Sequence, residues 1–391
     1  MTLPIWCYAE SDPVVHTMSF LTDILPAATA FEQRRKLRLS PRHRISSAFL
    51  FDGNQRRRME MALARYAGSE WELPLPMFGQ ALGALLASGA SSIPAETADR
   101  AFVDGGRALL LNQQTRAHEL VEIDTVEADA LTLVDPTAAA WPAGSMLYPL
   151  RRARLVDAPA LGLFTDAISY GDTEFELTEP LDWAAYTWPA EYRGAPVFDQ
   201  CANAAASDPV VGLPRRLLTV DVMSGVQSVY DLPAVTLPTL QMAIDAEGRE
   251  DIADLYAMLY DLKGCLRSVW ISSRARDLEP VASAGSGATS IDVEACGLDD
   301  ADLPATRRDI RIQFPGGAVV YRRITNVTTP APGTERITLD SALGTAIAPG
   351  DGTVISWLWL ARQSADVNAL GYWTGDVVET TLQFEGINHD L

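Results

Sequence analysis

Four histidines, His16, His43, His118 and His389, are the residues with which a metal centre or a general base would be built. None stands at ligand spacing and no His-Glu-x-x-His segment occurs, so each reads as a strand or loop residue. The four cysteines, Cys7, Cys201, Cys265 and Cys296, are scattered singly. No two lie at metal-knuckle or redox spacing. Cys265 and Cys296 read as buried thiols, and a reducing compartment is the simpler setting. Asp299-Asp300-Ala301-Asp302 has the charge to attract a hard cation but lacks the glycine and distal glutamate of a calcium loop. No Gly-x-Ser-x-Gly elbow or Gly-Lys-Ser/Thr phosphate loop is present. Gly105-Gly106 lacks a third glycine, and Gly285-Ser286-Gly287 reads as a linker. The sequence therefore predicts no catalytic, cofactor or metal residue, and a protein that is not an enzyme.

One cluster of charge stands out. Arg34, Arg35, Lys36, Arg38 and Arg42 are followed by Arg56, Arg57 and Arg58. Such a cluster could grip nucleic acid, but the chain carries a formal net charge of −20, and phosphate-gripping surfaces are basic. The better reading is a subunit interface that docks on an acidic neighbour. Arginines at a helix N-terminus oppose the helix dipole, which also favours an external acidic partner.

The elements that must carry these residues are written twice. Ala160-Leu161-Gly162 returns as Ala369-Leu370-Gly371, each followed by an aromatic-bearing run that ends Phe-Glu. Leu131-Thr132-Leu133 answers Ile337-Thr338-Leu339, and Ser92-Ile93 answers Ser290-Ile291. Leu39 is matched with Leu237. The offsets rise from 198 through 206 to 209 residues, as expected of two copies with small loop insertions. At 391 residues the chain is long enough for two or more domains.

Each copy predicts a pair of strands, then one helix, then an excursion, then a returning strand. The strands are expected at 17–24 and 36–51, and at 217–230 and 234–245, from period-2 alternation such as Lys36, Arg38 and Ser40 against Leu37 and Leu39. The first helix starts near Asp52-Gly53-Asn54 and carries Met59, Leu63 and Tyr66. The second runs over 249–263 with Ile252, Leu255, Tyr256, Leu259 and Leu262 on one stripe. Gly68 and Gly264 are expected as left-handed caps. Short apolar runs with turns between them predict a small β-domain inserted in each copy. The organisation expected is a first domain over 1–87 and 155–180 interrupted by a β-insert at 88–154. A connector follows at 181–214. The second domain covers 215–283 and 363–391 and is interrupted by a β-insert at 284–362.

The stretch Glu32-Gln33-Arg34-Arg35-Lys36-Leu37-Arg38-Leu39-Ser40-Pro41-Arg42 resembles a family of long-tailed phage and prophage tail-tip proteins. The preceding Phe20-Leu21-Thr22-Asp23-Ile24-Leu25 and the later Trp141-Pro142-Ala143-Gly144-Ser145 and Tyr148-Pro149-Leu150 are similar to its pattern. The likeness spans most of the chain and its motifs are structural. It implies a distal tail or baseplate hub protein. The fold class expected is β-rich α+β, with two tandem tail-tube-like domains. Each is an antiparallel sheet or split barrel plus one helix, with an inserted small β-barrel or β-sandwich domain. The partners implied are further copies of the chain in a ring, a trimer rather than a hexamer, together with tail tube, tape-measure and other baseplate proteins. DNA would pass through the channel without specific binding, and no membrane is involved. The setting implied is the virion tail tip, assembled in the bacterial host cytoplasm.

The N-terminus lacks a basic segment followed by a long apolar run, so no signal peptide is expected. No apolar stretch has bilayer length. A rival reading is a carbohydrate-binding module, for which Trp141 or Tyr148 would line a shallow exposed groove.

Overall fold

A computed structural model describes residues 3–7, 11–203, 205–223, 225–231, 233, 235–298 and 303–389. The acidic run at 299–302 lies outside the described residues. The chain is β-rich with two helices and a large antiparallel sheet among the described residues.

The first half begins with β1 (Ser11–Ser19), the hairpin β2 (Thr22–Pro26) and β3 (Glu32–Lys36), and β4 (Arg42–Asp52). Helix α1 (Gly53–Tyr66) and β5 (Glu70–Pro74) follow. The excursion then contains β6 (Gln80–Ala81), β7 (Ser92–Pro94), β8 (Arg107–Leu111), β9 (His118–Val126) and β10 (Ala130–Leu133). The chain returns through β11 (Met146–Leu155), β12 (Gly162–Leu163) and β13 (Ile168–Leu177). A small hairpin, β14 (Glu191–Tyr192) and β15 (Ala195–Pro196), lies between the halves.

The second half holds β16 (Val210–Gly212), the hairpin β17 (Leu217–Val220) and β18 (Ser228–Asp231), β19 (Thr239–Glu247), α2 (Arg249–Leu262) and β20 (Val269–Ser272). Its excursion contains β21 (Ser290–Glu294), β22 (Asp309–Gln313), β23 (Val319–Ala331) and β24 (Thr334–Leu339). It returns through β25 (Val354–Gln363), β26 (Val367–Thr374) and β27 (Val377–Gly386).

Period-2 burial builds the central strands. On β4, His43, Ile45, Ser47, Phe49 and Phe51 point inward. On β27, Val378, Thr380, Leu382 and Phe384 do so, while Glu379, Thr381, Gln383 and Glu385 do not. Alternation of this kind fixes the register, because a slip of one residue would turn the apolar set outward.

The registers of the two halves repeat. Asp52 lies opposite Ile168 in β4–β13, and Glu247 opposite Val377 in β19–β27. Trp71 faces Ala153 in β5–β11, and Val269 faces Ala361 in β20–β25. Ile93 faces Leu131, and Ile291 faces Ile337. Gly162 faces Tyr170, and Gly371 faces Glu379. Thr22 faces Lys36, and Leu217 faces Asp231. The named ladders of the first half map onto counterparts with the same partners, except that the short β6–β11 ladder is reduced to the single bridge Leu278–Ile355. The shift is 195 residues at β1 to β4, 198 at β5 and β7, 206 at β10 and 209 at β12 and β13. The match of Leu39 with Leu237 is thus displaced. At the shift of 195, Leu237 corresponds to Arg42, the first residue of β4.

Several local expectations are corrected. Lys36 to Ser40 do not open a long strand: β3 ends at Lys36 and β4 begins only at Arg42. The alternation there belongs to an exposed loop, with Leu37 and Leu39 in solvent. The predicted strand over 217–230 is the hairpin β17–β18. Residues 210–212, within the stretch read as a connector, form β16 and pair with β19. Cys296 is exposed beyond the end of β21, because its backbone N–H and its neighbours' wrap the carboxylate of Glu335 and the side chain turns out.

The two helix ends also differ. At the end of α2, Lys263 and Gly264 both take positive φ, 55° and 63°. Gly68 does not, because α1 runs on through Ala67 in right-handed geometry. A Cβ on Gly264 would fall 2.4 Å from Oδ1 of Asp366 and 2.9 Å from its Cα. Gly264→Ala is therefore expected to destabilise the protein by about 2 kcal/mol or more. Gly68→Ala, with nothing within 4 Å, should change stability by less than about 0.5 kcal/mol. Urea unfolding of the two variants checks this pair.

Candidate functional site: the joint between the two halves

β1 is paired on both sides. One edge meets β4 of its own half, with Thr17 opposite Arg44. The other meets β26 of the second half, with Val15 opposite Gly371, His16 opposite Leu370 and Thr17 opposite Ala369. The repeated Ala-Leu-Gly segment is thus, in its second occurrence, the strand that receives β1. This ladder joins the halves into one sheet.

Beneath it lies a buried polar chain that sequence spacing did not disclose. His16 projects from β1 and His43 from β4; both are buried. Tyr256 and Tyr260 reach them from successive turns of α2, and Tyr372 from β26. Tyr372 Oη donates to Tyr256 Oη at 2.8 Å. Tyr256 Oη lies 2.5 Å from His16 Nδ1, His16 Nε2 3.0 Å from His43 Nδ1, and His43 Nε2 2.7 Å from Tyr260 Oη. Tyr260 Oη donates to the Leu181 carbonyl.

The last of these bonds fixes the proton order. Tyr260 gives its proton to a carbonyl, so it accepts from His43 Nε2–H. His43 Nδ1 is then bare and accepts from His16 Nε2–H. His16 Nδ1 is bare in turn and accepts from Tyr256, which accepts from Tyr372. One proton occupies each link, and both imidazoles are neutral. Burial holds both histidines below the ordinary imidazole value, His16 well below it, with the neighbouring His43 adding to the effect. His43 falls to about 4. Burial likewise raises Tyr256, with Tyr372 adding to it.

Tyr256→Phe removes the links to Tyr372 and to His16 and leaves a buried acceptor on His16 and a buried donor on Tyr372. The expected loss is about 2–3 kcal/mol, read as a shift in the urea midpoint. The ring itself is retained, stacked on Trp183 at 4.4 Å between centroids.

The β2–β3 hairpin clamps the same joint. Asp366 accepts from Thr22 N at 2.5 Å, Thr22 Oγ1 at 2.9 Å and Cys265 N at 2.8 Å. Arg34 donates to the Cys265 carbonyl at 3.2 Å and to Ser268 Oγ at 2.5 Å. Arg362 forms a two-pronged contact with Glu32, at 2.7 and 3.2 Å, and reaches Glu385 at 3.2 Å. The Glu32 and Arg362 side chains are each only 5% exposed. Burial, with Asp366 alongside, pushes the Cys265 thiol up to about 12, so it stays protonated and unreactive.

The basic residues singled out from the sequence are divided among several elements. Arg34 is consumed in the joint. Arg35 pairs with Asp23 within the hairpin, and Arg38 donates to the Ser19 and Phe20 carbonyls. Arg42 lies 3.8 Å from Glu176. On α1, Arg56 pairs with Glu60 and Arg57 donates to the Gly53 carbonyl. Lys36 and Arg58 are exposed.

Elsewhere, a cleft of about 770 Å³ is lined by Arg107, Arg151, Glu179 and Trp183. Two of its arginines are engaged: Arg107 bonds Glu72 at 2.7 Å and Glu179 at 2.6 Å, and Arg151 donates to the Leu150 and Ala101 carbonyls. Trp141 is buried, and its indole N–H donates to Glu119 at 2.9 Å. It lines no exposed groove. Among the described residues, no group of three or more His, Cys, Asp or Glu side chains could hold a metal ion, and no helix is long and apolar enough to cross a membrane. No protein-family model matches the chain, and no curated protein matches it.

Proposed function

We propose that the protein is a structural component of a phage tail tip, a distal tail or hub protein, whose two tube-like halves take adjacent places in a ring that continues the tail-tube channel. The observation that carries this reading is the joint. Two halves with the same strand order and the same registers are linked edge to edge, as neighbouring subunits of a ring would be. A fused pair of ring subunits lets three chains present six equivalent positions, matching a sixfold tube above to a threefold tip below. The net charge of −20 suits a channel past which DNA slides without sticking. The buried ion pair and the polar chain at the joint hold the two halves at a fixed angle, as a ring requires.

Native mass spectrometry of the assembled ring tests the reading. Three chains per ring is the expected result. Six chains per ring would overturn the trimer, and a chain that stays monomeric at every concentration would overturn the ring.

A further inference from the structure

The joint has a donor side and a receiver side, and each half carries both. The first half donates β1 and the β2–β3 hairpin. The second receives them on β26 and on the turn around Asp366. The counterparts, β16 with the β17–β18 hairpin and the Ala160-Leu161-Gly162 segment with Asp157, have no strand partner from the other half among the described residues: β16 pairs with β19, β17 with β18, and Gly162 with β13.

Their state shows what is missing. β1 runs for nine residues between two neighbours, whereas β16 has three and pairs only with β19. β26 runs for eight residues, whereas β12 has two and pairs only with β13. The free edges are apolar. Val210 is 60% exposed and Leu213 59% along one edge; Leu163 and Phe164 are 67% and 72% exposed at the other. The β17–β18 hairpin bears Leu217, Leu218, Val229 and Tyr230 in solvent, with Met223 at its tip 95% exposed. The helices record the same asymmetry. α2, covered by the first half, buries seven residues; α1 buries only Met59. Exposed strand edges of this kind are templates for pairing.

We propose that the donor edge of one chain pairs with the receiver edge of a second copy, repeating the internal joint residue for residue. Carrying the β1–β26 register through shifts of 195 and 209 residues sets Val210 opposite Gly162, Val211 opposite Leu161 and Gly212 opposite Ala160 of the next chain. The β17–β18 hairpin then lies over the turn at Asp157 of that chain, where Asp157 takes the place of Asp366. The contact is head-to-tail, and each chain uses both edges. This inference rests on the ring-forming part of the reading above and adds the surface and register by which the ring is made.

Paired cysteines test it. On full-length chains carrying Cys7→Ser, Cys201→Ser and Cys296→Ser, one chain takes Val211→Cys and the other Leu161→Cys. Mixed and mildly oxidised, the two should form a disulfide-linked heterodimer. Neither should link efficiently alone, and Val211→Cys should link poorly with Leu163→Cys, which is two residues out of register. Multimers that form without the Val211–Leu161 link would overturn the edge assignment and leave the ring standing. Monomers alone, for the parent chain at every concentration, would overturn both. Circular dichroism of each variant confirms that the fold is retained.

Discussion

Arg362→Ala should be the most damaging single substitution at the joint, lowering the unfolding free energy by about 3–5 kcal/mol. The guanidinium is held by Glu32 through two bonds and by Glu385 through one, and both it and Glu32 are almost wholly out of water. Removing it leaves the Glu32 carboxylate with Arg34 alone, at 3.4 Å, in a site that solvates it poorly. The attraction lost is the smaller part of the cost; the buried charge left with one weaker partner is the larger. Because Glu32 opens β3, the hairpin should also loosen from the second half, and limited proteolysis should cut near residues 27–31 sooner. The double variant Glu32→Leu with Arg362→Met removes both charges and should recover much of the loss. A urea midpoint for Arg362→Ala close to that of the parent would show that the pair contributes nothing, and the electrostatic account of the clamp would fail.

Acidification should open the same joint. The proton order from Tyr372 to the Leu181 carbonyl leaves no acceptor for an extra proton on either imidazole. The folded histidines therefore titrate below their unfolded value of about 6.5. Between that value and the folded one, the unfolded chain binds protons that the folded chain refuses. Stability from these groups is complete above about pH 6.5 and is lost as pH falls toward 4. His43, which drops to about 4, accounts for about 3 kcal/mol of this at 1.36 kcal/mol per pH unit, and His16 adds in the same direction. His43→Phe should flatten the stability curve over this window relative to the parent, whatever its effect at neutral pH. Parallel curves for the two proteins between pH 6.5 and pH 4 would rule out the histidine as the source. Carboxylates contribute equally to both curves, so the difference isolates the imidazole.

Much of the architecture is already written in the residue order. The recurrence of Ala-Leu-Gly, the offsets of 198, 206 and 209, and the apolar stripe of α2 are local facts, and period-2 and period-3.6 burial converts them directly into strands and a helix. The inserted strands β8 (Arg107–Leu111), β9 (His118–Val126) and β10 (Ala130–Leu133) coincide with short apolar runs between turns, the signal from which a β-insert is expected. Local pattern failed where the local signal is ambiguous. Charged and apolar residues alternate at 36–40 just as they do in a strand, yet strand pairing ends at Lys36 and no ladder includes 37–40. A glycine after a helix predicts a left-handed cap, yet only Gly264 has Asp366 pressing on it.

What tertiary structure alone decided is the joint. His16 and Tyr256 stand 240 residues apart, and Glu32 and Arg362 stand 330 apart. No spacing rule connects such residues, because a polar side chain looks the same in sequence whether water or a distant strand satisfies it. Arg34 shows the limit most clearly. The sequence marked it as a charge awaiting a neighbour; the fold supplies that neighbour from the second half of its own chain. Which edges are filled and which are left open depends on how the two halves pack, and packing is settled by long-range contacts that order along the chain does not encode.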